Sequence, residues 1–198
     1  MAIQFWFEFA STYSYPAAMR IEQLAASYGI TIEWRAFLLG PLFREQGMND
    51  SPFNLNPIKG RYMWRDLERI CKHQQISLTR PSVFPRNSLL AARVACGFAD
   101  EPWLPAFIKA VYHANFVADL DISDQSIIER CISVAGQNPG EILTQAQTPA
   151  AKEKLRLQNE AAAKFGIFGA PSIVVGNELF WGNDRLEDAL HWHIKHAD

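Results

Sequence analysis

Three short segments combine polar side chains with backbone features that favour a ligand. Ser11-Thr12-Tyr13-Ser14 follows an apolar, aromatic run from Ile3 to Phe9 and precedes a stretch with helical spacing. The free N–H groups and partial positive charge of a helix N-terminus favour an anion there. A thiolate at such a place has a lowered pKa, and the Ser11 hydroxyl could donate a hydrogen bond to a thiolate carried in by a ligand. Ser11 could equally be an ordinary helix cap. The second segment is Phe168-Gly169-Ala170-Pro171-Ser172. The proline holds Ala170 extended. A cis Ala170–Pro171 bond would turn the Ala170 backbone outward to pair with an extended peptide; a trans bond would make a plain turn before an edge strand. The third is Trp181-Gly182-Asn183-Asp184-Arg185, a glycine turn into a helix start. It offers N–H groups to an anion, while Asp184 could accept from an α-ammonium group. Both features together fit an amino-acid-like zwitterion; capping alone is the plainer alternative.

These segments need elements to carry them. Ile3–Phe9 reads as a buried strand. Ala17, Ile21, Leu24, Ala25 and Tyr28 recur at helical spacing between Tyr13 and Tyr28, and Gly29 ends the helix. Thr31–Phe37 reads as a second strand, which completes a βαβ unit. From Gly40 to Asn56 turn residues and prolines dominate. Pro57 opens a helix with Met63, Leu67, Ile70 and Cys71 on one face, and segments near 87–99, 102–117, 124–135, 139–146 and 149–165 are helical in pattern. Ser172–Val175 and Glu178–Trp181 form a hairpin across Gly176-Asn177. Asn183 or Asp184 caps a last helix from Arg185 to about Lys195. Sheet pieces at the two chain ends bury each other only by coming together. The expected fold class is α/β: a thioredoxin-like domain, 1–42 plus 165–198, split by a helical insertion, 43–164.

The chain has 198 residues, 48% hydrophobic and 20% charged, enough to build a core. A net charge of −2 argues against a general nucleic-acid binder. No apolar run is long enough for a membrane span, and Ile3–Phe9, with Glu8 inside it, is not a signal-like helix. Cys71, Cys96 and Cys131 are far apart with no CxxC, which fits reduced thiols in the cytoplasm. No metal site is expected: His191 and His193 do not share a helix face with each other.

Taken together, FWFEFASTYSY, KGRYMWRDL and FGAPSIVVGNELFWGNDRLE resemble the 2-hydroxychromene-2-carboxylate isomerases and their relatives, the kappa-class glutathione transferases. Both are similar to the disulfide oxidoreductase DsbA. The resemblance covers the whole chain and is strong at residues 3–20, 57–70 and 165–188. It implies that Ser11 and Ser14 take the places of the oxidoreductases' two cysteines, which excludes disulfide exchange as the main activity. Ser11 is then the catalytic residue beside a glutathione thiol. Pro171 matches the family's cis-proline, with Ala170 holding the cysteinyl backbone. Trp181, Gly182, Asn183 and Asp184 match the stretch that holds the γ-glutamyl end, with Arg185 adjacent. Thr12 replaces the proline of the family's Ser-Pro-x-Ser, a change that a first helical turn tolerates. Asn49 and Lys59 match the kappa-like spacing for glutathione. Asn54 suits an isomerase position, and Phe43, Arg44, Phe84 and Arg86 are the implied substrate neighbours.

Between residues 59 and 93, eight basic residues face two acidic ones, an excess of six in a chain of net charge −2. That is either a solvated helix face or a basic wall for carboxylates. The resemblance implies a cytoplasmic homodimer using glutathione as cofactor on a small anionic aromatic or enone substrate from aromatic catabolism. Isomerisation, conjugation by a kappa-like transferase, and non-catalytic glutathione or peptide binding remain the alternatives.

Overall fold

Four strands supplied by the two ends of the chain pair into one mixed sheet. In the computed structural model, which describes residues 2–196, strand β1 (Ile3–Phe7) lies parallel to β2 (Ile32–Ala36) and antiparallel to β3 (Ser172–Val175). β3 pairs antiparallel with β4 (Glu178–Trp181), giving the order β2-β1-β3-β4. β1 and β3 are therefore the interior strands, and nearly every side chain on them is buried. That explains their mostly apolar sequences: both faces of the sheet are covered.

Helix α1 (Ser14–Ser27) crosses from β1 to β2, with Ala17, Ala18, Ile21 and Ala25 inward. After β2 come two short helices, α2 (Leu39–Glu45) and α3 (Pro52–Leu55). The prolines and glycines there read as turns in the sequence. They are instead compatible with helix starts: Pro41 sits in the first turn of α2, and Pro52 opens α3 behind the Ser51 cap, whose side chain accepts from the Phe53 N–H.

Helix α4 (Pro57–His73) starts in the same manner, with Asn56 accepting from the Lys59 N–H and Pro57 at the first position. The helical run continues as α5 (Leu89–Gly97), α6 (Leu104–Phe116), α7 (Gln125–Val134), α8 (Pro139–Ala146) and α9 (Pro149–Phe165). Asp124, Asn138 and Thr148 cap α7, α8 and α9 with side-chain acceptors. The last segment departs from expectation. Neither Asn183 nor Asp184 caps it: a 3-10 turn, Asn183–Arg185, starts at Gly182 and runs into α10 (Leu186–His196).

One apolar core joins the sheet to the helices. Phe5, Phe7 and Phe9 of the first segment meet Met63 and Leu67 of α4, Phe107, Val111 and Tyr112 of α6, and Ile128 of α7. Phe7 packs edge-on against Trp34 of β2 and lies beside Tyr112. On the other face of the sheet, Trp6, Phe37, Leu42, Ile167, Ala170 and Val174 form a smaller cluster that ties α2 to the Ala170 turn. Among the described residues no helix is long and apolar enough to cross a membrane.

Candidate active site

Strand direction gathers the three segments. Because β1 and β3 run antiparallel with Trp6 opposite Ser172, the exit of β1 lies beside the entry of β3. Ser172 also faces Trp181, so the exit of β4 reaches the same end of the sheet. Ser11, Ala170-Pro171 and the Gly182 turn converge there, although residues 11 and 170 are far apart in the chain.

Ser11 is 9% exposed. Its hydroxyl donates to the Ala170 carbonyl at 2.9 Å and accepts from the Ser14 N–H at 3.2 Å. It thus performs a capping role at the start of α1 and also ties the β1 exit to the β3 entry. The Ala170–Pro171 bond is cis. The Pro171 carbonyl accepts from the Gly182 N–H at 3.0 Å, which fixes the third segment onto the second. The Ala170 N–H makes no hydrogen bond to a described residue, so it stays open as a donor. Gly182 has φ +117°, in the left-handed half of the map, and a Cβ there would run into the Asp184 carboxylate. Only glycine suits this corner.

Asn183 is buried, and its carbonyl oxygen accepts from Arg20 at 3.0 Å, while Arg20 also pairs with Glu187 at 2.7 Å. The Asn183 side chain is therefore a brace; what it can offer a ligand is backbone. Asp184 projects outward with 74% of its side chain exposed. Arg185 is exposed but turned to acids of its own segment, Asp188 at 2.8 Å and Asp184 at 3.5 Å. Trp181 is 52% exposed and lies on Phe168, with ring centroids 4.7 Å apart. Gly169 fits beneath the indole, where a Cβ would collide with the Trp181 ring.

The remaining residues lie on one side of this centre. Phe43 is half-buried and Arg44 exposed at the end of α2, whose Leu42 packs in the cluster that contains Ala170. Asn49 is exposed on the loop before α3. Lys59 is exposed in the first turn of α4, its ammonium 5.8 Å from the Phe53 ring. Phe53 in turn contacts Tyr13 with centroids 6.2 Å apart. Asn54 donates to the Phe84 carbonyl at 3.0 Å and to both Asp50 carboxylate oxygens at 3.2 Å. Phe84 packs edge-on against Trp64 at 5.1 Å.

Arg86 does not face a ligand. It is 7% exposed; its guanidinium donates to the Asn115 side chain at 3.1 Å and backbone at 3.3 Å, and pairs with Asp119. Asn115 itself donates to the Phe9 carbonyl. Burial of a charge demands such partners, so Arg86 anchors the loop that bears Phe84 and leaves the set of substrate contacts. The basic wall also shrinks: Arg65 pairs with Glu68 and Arg69 with Asp66.

Two residues of the site escaped sequence reasoning. Glu8 is buried beneath the Ser11 turn. Its carboxylate accepts from the Ala10 N–H at 3.0 Å and from the Ser88 hydroxyl, and its backbone carbonyl accepts from the Ser11 N–H and from Tyr112. Burial pushes its pKa above the ordinary carboxylate range, against the opposing pull of the Ser88 and Ala10 donors. A lone acid inside FWFEFA was the available signal. Tyr13 donates to Asp66 of α4 at 3.0 Å; burial first, then Asp66, raises its pKa. The three cysteines are buried, and burial pushes Cys71 and Cys131 up to about 11, which keeps them from thiolate chemistry. The described residues contain no cluster of histidine, cysteine and carboxylate side chains fit for a metal.

Residues 2–192 match the DSBA-like thioredoxin domain. The 2-hydroxychromene-2-carboxylate isomerase of Sphingobium xenophagum is 31% identical, over 93% of this chain and 94% of the relative. The chain belongs to the DSBA-like thioredoxin family, on the side of the 2-hydroxychromene-2-carboxylate isomerases. A solved structure of such an isomerase superposes with a TM-score of 0.84 at 29% identity, covering 100% of this chain and 98% of the other. The human glutathione S-transferase kappa 1 is 25% identical over 96% of this chain and 89% of its own. The family places its thioredoxin-like sheet and helices as found here, and members with full-length similarity carry isomerase and transferase names.

Proposed function

We propose that the protein is a glutathione-dependent isomerase of a conjugated carbonyl compound such as 2-hydroxychromene-2-carboxylate. The observation that carries the reading is the Ser11 hydroxyl, set at the start of α1 and hydrogen-bonded across to Ala170, in a chain similar to such isomerases along its length. The donor set suits glutathione. The open Ala170 N–H pairs with a peptide backbone, the amides after Gly182 suit a carboxylate, and exposed Asp184 suits an ammonium group. When bound, glutathione supplies a thiolate that adds reversibly to a conjugated double bond, lets it turn as a single bond, and leaves unchanged.

The chain's own residues do the rest. A free thiol ionises near pKa 8.5, so the site must favour the anion. The amide-rich start of α1 does so electrostatically, and Ser11 adds a hydroxyl donor. That donor is engaged with the Ala170 carbonyl at 2.9 Å. The carbonyl has two lone pairs and can accept a peptide N–H as well, and rotation of the Ser11 hydroxyl turns its O–H from the carbonyl to the sulfur when the thiol is bound. Negative charge that grows on the substrate carbonyl falls to the cations and donors on the Phe53 side, foremost Lys59. A kappa-like transferase remains the second reading, favoured by Lys59 and Asn49 at kappa-like spacing and by the human relative.

The test is a split between binding and turnover. Wild type should isomerise 2-hydroxychromene-2-carboxylate with glutathione. Ser11→Ala should bind glutathione within about twofold and turn over at least tenfold slower, about 1.4 kcal/mol of barrier. Turnover unchanged in the variant removes Ser11 from the reaction, and no turnover in wild type removes the isomerase reading.

A further inference from the structure

At the end of the sheet opposite Ser11, where β2 begins beside the start of β1, a groove of ≈ 430 Å³ follows the strand edge. Ile32, Glu33 and Trp34 of β2, Glu22 of α1, and Asp100 and Glu101 of the loop before α6 line it. We propose that this groove receives an extended, lysine- or arginine-bearing segment of a partner protein, which adds to the sheet beside β2. The site is separate from the Ser11 centre and stands whatever reaction occurs there.

The outer edge of β2 is closed in one half and open in the other. β2 is an edge strand of the sheet. The Thr31 carbonyl accepts from the Ile3 N–H, and the Phe37 N–H donates to the Phe7 carbonyl. Thr31, Glu33, Arg35 and Phe37 therefore face β1, while Ile32, Trp34 and Ala36 turn their N–H and C=O groups outward. Helix α9 closes the far half: Gln158 donates to the Ala36 carbonyl, and Asn159 accepts from the Leu38 N–H at 3.0 Å. Ile32 and Trp34, which line the groove, make no outward hydrogen bond to a described residue. Such an edge is a template for another extended chain, bound through its main chain. The side chains say which chain fits. Ala25, Ile30 and Pro105 supply apolar lining, and four carboxylates line the groove with no basic residue among them. Glu22 pairs with Lys109 and Glu33 with Arg35, but Asp100 and Glu101 are exposed and have no cationic partner among the described residues. A strand that alternates apolar and basic side chains complements this lining, whereas an acidic one meets like charge.

The probe is acetyl-Lys-Val-Lys-Val-Lys-amide, with the peptide that carries glutamate for lysine as its control. Calorimetry should show the lysine peptide binding to wild type and the glutamate peptide binding about tenfold more weakly or not at all. N-methylation of the valine amides blocks one edge of the peptide, and N-methylation of the lysine amides blocks the other. One pattern should abolish binding and the other should spare it; attraction by charge alone would treat both alike. Hydrogen exchange at the Ile32 and Trp34 amides should slow when the lysine peptide binds. Asp100→Asn combined with Glu101→Gln should weaken that peptide about tenfold. No binding of the lysine peptide, equal binding of the glutamate peptide, equal loss from both methylation patterns, unprotected Ile32 and Trp34 amides, or full affinity in the double variant overturns the proposal.

Discussion

Glu8 shows how much of a site can rest on a residue that never meets a ligand. Through side chain and backbone it holds Ala10, Ser11, Ser88 and Tyr112. Its raised pKa means that the folded chain keeps a proton that the unfolded chain has released once pH exceeds the ordinary value near 4.5. The native state then binds more protons, so this contribution to stability is present at low pH and is lost as pH rises through the raised value. Glu8→Gln keeps the acceptor and removes the titration. Urea unfolding from about pH 5 to about pH 8 should show the variant gaining on wild type as pH rises; a constant difference would contradict this. At this scale the sequence exposed Ser11, Ala170 and the Gly182 turn because each is a compact motif. It misplaced Arg86 because its partners Asn115 and Asp119 lie 29 and 33 residues away, and a charge does not announce its distant partner.

Elements set the distances between these groups. α3 and α4 meet at Gly60, where a Cβ would run into the backbone carbonyl of Phe53. Gly60→Ala must push Phe53 and Asn54 away, an overpacking of about 1–3 kcal/mol. The variant should unfold at lower urea and show a raised KM for the substrate. Wild-type stability together with wild-type KM would refute that account of the crossing. The helices from α4 onward were legible because apolar spacing and proline starts agree. α2 and α3 were not, since four- and seven-residue helices carry too few turns for periodicity to outweigh their glycine and proline content.

At the scale of the molecule, an antiparallel β1–β3 pair converts two remote chain ends into one cleft. That much followed from the sequence, because neither end can bury its strands alone. What did not follow is which basic residues remain free after folding, since ion pairing is a property of the assembled helices; of the eight, Lys59 and Arg80 lie over aromatic rings with no ion-pair partner among the described residues. On the proposed reading a thiol binds at the Ser11 end of this cleft and is used and returned. The decisive measurement counts thiols during catalysis by wild type. With 2-hydroxychromene-2-carboxylate in large excess over glutathione, the account predicts many product molecules per glutathione and free thiol unchanged at the end. One thiol lost for each substrate molecule converted would contradict it and make the protein a conjugating transferase.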